Sequence, residues 1–71
     1  MAEDRTSYLI ANNLKEIREA KGLSQEKLAA LAGVHRTYIS MIERCQKNVT
    51  VSCLDKIASA LNIDIIDLLH E

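Results

Sequence analysis

An all-α domain is the fold class this sequence predicts, and three observations carry it. The 71 residues contain no Pro and only two Gly, whereas all-β domains need turn residues every few positions. Apolar residues recur at spacings of three and four, the period of one helix face. Cap and stop residues cut that pattern into short pieces joined by tight connections. A chain this short forms one domain at most and buries only about 60% of the surface its unfolded form exposes.

The elements follow in order. Residues 1–6, MAEDRT, lack periodicity and are expected to be a flexible N-terminus, with a single domain over 7–71. From Ser7 the pattern is helical, with Ile10, Leu14 and Ile17 on one stripe and Gly22 as the stop after Lys21. Ser24 is an N-cap, although Lys27 stands where a capping box would have Glu. Leu28, Leu31 and Ala32 form the expected apolar stripe of the second helix, which Gly33 ends. His35-Arg36-Thr37-Tyr38 opens the third, with Ile39 and Ile42 inward and Tyr38 partly covered. Cys45-Gln46-Lys47-Asn48 is a polar loop. Thr50 caps a fourth helix with stripe Leu54, Ile57, Ala58 and Leu61, ended by Asn62. Asp64 is the expected cap of a last short helix from Ile65 to His70.

Composition excludes several classes. Hydrophobic residues at 48% and charged residues at 27% are ordinary for a globular chain. No apolar run is long enough to span a membrane, and no secretory signal opens the chain. Cys45 and Cys53, with His35 and His70, lack metal-ligand spacing, so no metal and no cofactor are expected. Both cysteines read as free thiols in a reducing, cytoplasmic compartment. No nucleophile–base pair, paired carboxylates or phosphate loop points to an enzyme.

The net charge of −1 argues at first sight against a nucleic-acid partner. Its distribution is uneven. Residues 36–56 carry Arg36, Arg44, Lys47 and Lys56 against Glu43 and Asp55, a net of +2. Residues 57–71 carry Asp64, Asp67 and Glu71 with no Lys or Arg, a net of −3. Charge alone reads as a mixed solvated surface, but a small positive face can hold a phosphate backbone while the acidic end points away.

The informative stretch is Gln25 to Glu43, inside a helix-turn-helix expected at residues 25–44. Two short helices are joined by a turn of about four residues containing Gly, as that motif requires. Ala29 is small where the second helix packs closely. Gly33 supplies a positive φ at the turn. Val34 and Ile39 fill the wedge between the helices, and Leu28 and Ile42 face the core. The outward face of the third helix is then polar from its first turn, as a recognition helix in the major groove must be.

GLSQEKLAALAGVHRTYISMIER, with the later IASALNI, resembles the helix-turn-helix of the Cro and phage-repressor type, the XRE family. The likeness covers roughly residues 8–70 and is greatest to controller proteins of restriction–modification systems. It implies a five-helix, lambda-repressor-like DNA-binding domain that acts as a homodimer on a palindromic operator and regulates transcription, by repression or activation, of restriction–modification genes. The implied partners are double-stranded DNA, a second copy of the chain and RNA polymerase, with no membrane. The alternative is an antitoxin or other protein-interaction module that also binds its own promoter.

Matched position by position, the resemblance implies base reading by Arg36 and Thr37, with Ser40 one turn on. It implies backbone contacts from Gln25, His35, Arg44, Lys47 and Asn48, and an ion pair between Arg18 and Glu43. Arg36 can fork onto guanine O6 and N7, and Thr37 offers a hydroxyl and a methyl to a base edge. Tyr38 either bonds a backbone phosphate or is a half-buried core aromatic. The family usually has Gly where this chain has Cys45, and often Pro where it has Val49. A positive φ at Cys45 would cost roughly 1 kcal/mol. Met41 is apolar where some members read a base, which shifts part of the specificity to DNA shape. Ile65, Ile66, Leu68 and Leu69 are too many apolar residues for one face of a two-turn helix, so a dimer interface is expected there.

Overall fold

A computed structural model describes residues 5–46 and 48–71. Its helices are α1 (Arg5–Ala20), α2 (Gln25–Ala32), α3 (Arg36–Glu43), α4 (Val51–Leu61) and α5 (Ile66–Leu69). The first packs on α3 and α5, while α2 packs on α3 and α4. Their inward faces form one core that includes Ile10, Leu14, Leu28, Ile39, Ile42, Ile57, Leu61 and Leu68.

The helix starts follow from local side chains. Ser24 Oγ accepts the Lys27 N–H at 3.0 Å, and Thr50 Oγ1 accepts the Cys53 N–H at 3.1 Å. These bonds satisfy donors that a helix start leaves without partners. Helix α1 already includes Arg5, two residues before the expected start, and the first four residues of the expected flexible N-terminus lie outside the described residues. The Arg5 guanidinium pairs with Glu71, a contact across the whole chain that no local pattern contains.

The helix ends share one device. After α1, the Leu23 N–H donates to the Arg18 carbonyl at 3.0 Å and the Gly22 N–H to Glu19 at 2.9 Å. The same nested pair recurs after α2 around Gly33, after α3 around Cys45 and after α4 around Asn62. This closure requires a left-handed residue at its centre. The φ values are 71°, 73°, 58° and 59° at Gly22, Gly33, Cys45 and Asn62. Cys45 therefore does take the conformation that the missing glycine would have adopted without strain.

Three expectations are corrected. Leu31 is not part of the core stripe but 53% exposed. Leu28, Ala29 and Ala32 are buried instead, and at about 100° per residue Leu31 lies well off the centre of their arc. Helix α5 spans only Ile66–Leu69, and Ile65 at its start has no side-chain cap bond. Asp64 is not the side chain that closes this end; its N–H donates to Asp67 Oδ2 at 3.0 Å. Finally, Leu68 is 0% exposed, inside the core, so it leaves the expected interface set. At the far end of α5, Asn13 Nδ2 donates to the carbonyls of Leu68 at 3.0 Å and His70 at 2.6 Å. That bond holds the C-terminal turn against α1.

Candidate nucleic-acid interface

Helix α3 is aimed by what it buries. Ile39 and Ile42 are inside the core, and Val34 and Tyr38 pack against it. Gly33 turns the chain between α2 and α3 with no atom within 4 Å of where a Cβ would stand, so its dihedral, not lack of space, calls for glycine. With that side fixed, Arg36, Thr37 and Arg44 are exposed and Ser40 is half-buried on the other. Together with Gln25 from the start of α2 they line a recess of about 320 Å³. Its lining carries two guanidinium groups and no carboxylate. A second recess, about 470 Å³, lies along α4 and the connector to α5 and includes Asp55 and Asp64. A polyanion is attracted to the first and repelled by the second.

His35 forms the N-cap of α3. Its Nδ1 accepts the Thr37 N–H at 3.1 Å, which puts the ring's proton on Nε2, an outward donor at the positive end of the helix. The sequence placed His35 at this helix start, but not its use as the cap; histidine is a rarer choice there than Ser, Thr, Asp or Asn.

A buried polar cluster braces the two helices. Arg18 Nε donates to Glu43 Oε2 at 2.7 Å and Nη2 to Oε1 at 3.1 Å. Gln25 Nε2 donates to the same Oε1 at 3.0 Å, and Arg18 Nη1 to the Leu23 carbonyl at 2.7 Å. The Glu43 side chain is only 4% exposed. Its hydrogen bond raises the Arg18 pKa above the ordinary arginine value, against the opposing effect of burial. Glu43 thus keeps the end of α3, the end of α1 and the start of α2 together while its negative charge is neutralised beneath the surface.

The remaining expected residues fall in three places. Asn48 is exposed in the connector after α3, and Lys47 lies outside the described residues. Tyr38 is half-buried and packs against the core, and burial pushes its phenol up to about 12. Of the four apolar residues near α5, Ile66 is 70% and Leu69 38% exposed, Ile65 is partly buried against the core, and Leu68 is wholly inside. Sequence reasoning missed Asn13, which acts on partners far along the chain and belongs to no local motif.

Two short helices set by a left-handed glycine, the second packed on one side and polar and cationic on the other, define a helix-turn-helix DNA-binding domain. The chain belongs to the HTH_3 helix-turn-helix family, of the XRE type, whose model matches residues 14–68. It is 46% identical over 61 residues to control protein C.SmaI of Serratia marcescens, across 86% of this chain and 73% of that protein. The restriction-modification controller protein C.AhdI from Aeromonas hydrophila superposes with a TM-score of 0.85 at 44% identity, covering 87% of this chain and 94% of that one. A hypothetical transcription factor, NHTF, from Neisseria superposes with a TM-score of 0.89 at 37% identity, over 99% of this chain and 79% of that one.

Proposed function

We propose that this chain is a sequence-specific transcriptional regulator that binds a palindromic operator as a homodimer and controls restriction–modification genes. The observation that carries this reading is the cationic recess formed by Gln25, Arg36, Thr37, Ser40 and Arg44 on the outer side of a helix whose inner side is core. A hydrogen-bonding, cationic face on a rigid helix is what reading base edges in the major groove demands. The genes controlled are inferred from the likeness to controller proteins.

In this reading Arg36 and Thr37 meet bases, Ser40 meets a base or phosphate, and Gln25, His35, Arg44, Lys47 and Asn48 hold the backbone. Ile66 and Leu69, the exposed apolar residues of α5, meet their copies in the second subunit. Two recognition helices then enter successive major grooves about 34–36 Å apart.

The test is selection of duplexes from a random pool, followed by footprinting on the chain's own promoter. A palindromic consensus is the expected result. Arg36→Ala then costs roughly 1–3 kcal/mol and relaxes preference at one base position, whereas Arg44→Ala weakens binding to all sequences and lowers the salt slope by about 1. An unchanged operator preference in Arg36→Ala would remove its assigned role, and recovery of no consensus would remove the proposal.

A further inference from the structure

Resting on the DNA-binding reading just given, we infer that Met41 is a specificity-determining residue of the same face: its side chain reads the C5-methyl group of a thymine close to the base that Thr37 meets. Ile39 and Ile42 are the buried residues of α3 and fix its inner side. At about 100° per residue, Met41 stands about 160° around the axis from Ile39 and about 100° from Ile42, but only about 40° from Thr37 and 60° from Arg44. It is half-buried. Among the described residues, the partly buried apolar side chains that pack against the core include Val34, Tyr38 and Val49 and not Met41. Met41 thus forms an apolar margin to the face that Arg36, Thr37, Ser40 and Arg44 make polar.

The backbone beneath Met41 is held. The Gln46 N–H donates to the Met41 carbonyl at 2.8 Å in the closure of α3. Two residues on, Glu43 is bonded to Arg18 and Gln25. The side chain on that fixed backbone is unbranched, with three rotatable bonds, and can fit itself to a surface. Four residues separate Met41 from Thr37, about 6 Å along the axis, which is nearly two base steps at about 3.4 Å each. The two residues therefore meet different base pairs.

The groove offers an apolar side chain one partner. All four bases present hydrogen-bonding atoms there, and thymine adds a methyl group. A thioether donates no hydrogen bond and accepts only weakly. Laid over an amino group or a carbonyl, it strips water and replaces none of the lost bonds, which costs affinity. Laid over the thymine methyl, it removes apolar surface from water on both sides. Met41 discriminates by what it favours and by what it covers badly. An apolar residue here then reads a base directly, where the sequence alone assigned this share of the specificity to DNA shape. Shape readout does not depend on the side chain at position 41.

The experiment uses the full chain, the duplex it selects from a random pool, and copies of that duplex with deoxyuridine at one thymine position of both half-sites, which removes only the methyl groups. At one such position the wild-type chain is expected to lose about four-fold in affinity per half-site, the worth of one buried methyl. Met41→Ala loses about as much on the thymine duplex and is indifferent to deoxyuridine at that position, so the two changes together cost no more than either alone. Met41→Leu, still apolar, keeps the discrimination. Met41→Gln, alike in length but polar, loses it, whether or not the shorter alanine disturbs packing. With cytosine at that position wild-type binding weakens, and 5-methylcytosine recovers the methyl-dependent part. A selected half-site without thymine, a deoxyuridine loss that Met41→Ala and Met41→Gln retain in full, or one that Thr37→Ala abolishes in their place would each overturn the assignment. Those results remove this inference alone, whereas a wild-type chain that selects no duplex removes the DNA-binding reading and the inference with it.

Discussion

Glu43, the last residue of α3, receives two bonds from Arg18, near the end of α1, at 2.7 and 3.1 Å. The pair is 25 residues apart in sequence and nearly sealed from solvent. A planar guanidinium facing a carboxylate fixes direction as well as distance. The helix that carries the cationic face is thereby referred to α1, whose Ile10, Ala11 and Leu14 are core, and not only to its neighbour across the turn.

Glu43→Ala is expected to destabilise the domain by about 3 kcal/mol, because it leaves a buried guanidinium with only the longer 3.8 Å pairing to the exposed Glu19. That is a large part of the 5–15 kcal/mol typical of a whole domain. Urea unfolding measures it. The double variant Arg18→Met/Glu43→Leu should lose less than the sum of the two single changes, and a Glu43→Ala loss below about 1 kcal/mol would mean the pair behaves as if it were exposed.

His35→Asp separates stability from binding. Aspartate is among the best N-caps and its charge suits a helix start, so thermal unfolding should shift upward by the equivalent of a few tenths of a kcal/mol. DNA affinity should fall, since a carboxylate then faces phosphates. His35→Ala, with no cap, should lose about 1 kcal/mol of stability. Mobility shifts and thermal melts on the same samples decide it; stability and affinity rising together in His35→Asp would place residue 35 away from the phosphates.

At Cys45 the comparison is between two replacements. The Cys45 thiol lies 3.8 Å from the Ser7 carbonyl, and both alanine and glycine remove that contact. Only glycine is at ease at a φ of 58°. Cys45→Gly should therefore be more stable than Cys45→Ala by roughly 1 kcal/mol in chemical denaturation. Equal midpoints would show that the loop relaxes once the thiol is gone.

Alkaline pH should weaken the fold in a defined window. The Tyr38 phenol, pushed up to about 12 first by burial and then by Cys53, keeps its proton in the folded chain after the unfolded chain, near the ordinary tyrosine value of 10.0, has lost it. The folded state then binds more protons, so stability is fully present below pH 10 and falls as pH rises towards 12. Tyr38→Phe should flatten that decline in a pH series of urea midpoints; a slope that the substitution leaves unchanged would point to other groups.

Most of the architecture could be read from residue order because the deciding interactions are local. Ser24 and Thr50 are caps that bond three residues ahead, and the stripe Leu54, Ile57, Ala58 and Leu61 is one face of one helix. Gly22, Gly33 and Asn62 mark left-handed ends because few residues tolerate them. What could not be read depends on distant partners. Nothing near Asn13 indicates that it bonds carbonyls more than 50 residues on, and nothing near Leu68 says it enters the core while Ile66 does not. In α2, periodicity admitted Leu31 to the stripe beside Leu28 and Ala32, and only the packing of the neighbouring helices leaves it outside, while the small Ala29 is buried as expected. The candidate recess was legible as a set of residues on one helix face. The resemblance already placed Gln25 from α2 with that set; that Gln25 is bonded to Glu43 behind the recess required the fold.

The attachment of Asn13 to the carbonyls of Leu68 and His70, alongside the pairing of Arg5 with Glu71, bears on how this molecule breathes. Chain ends ordinarily fray first and independently. Here the last turn cannot lift without releasing a side chain of α1, so amide protons in the first turns of α1 and in α5 should exchange with deuterium as a single cooperative unit and not as two loose segments.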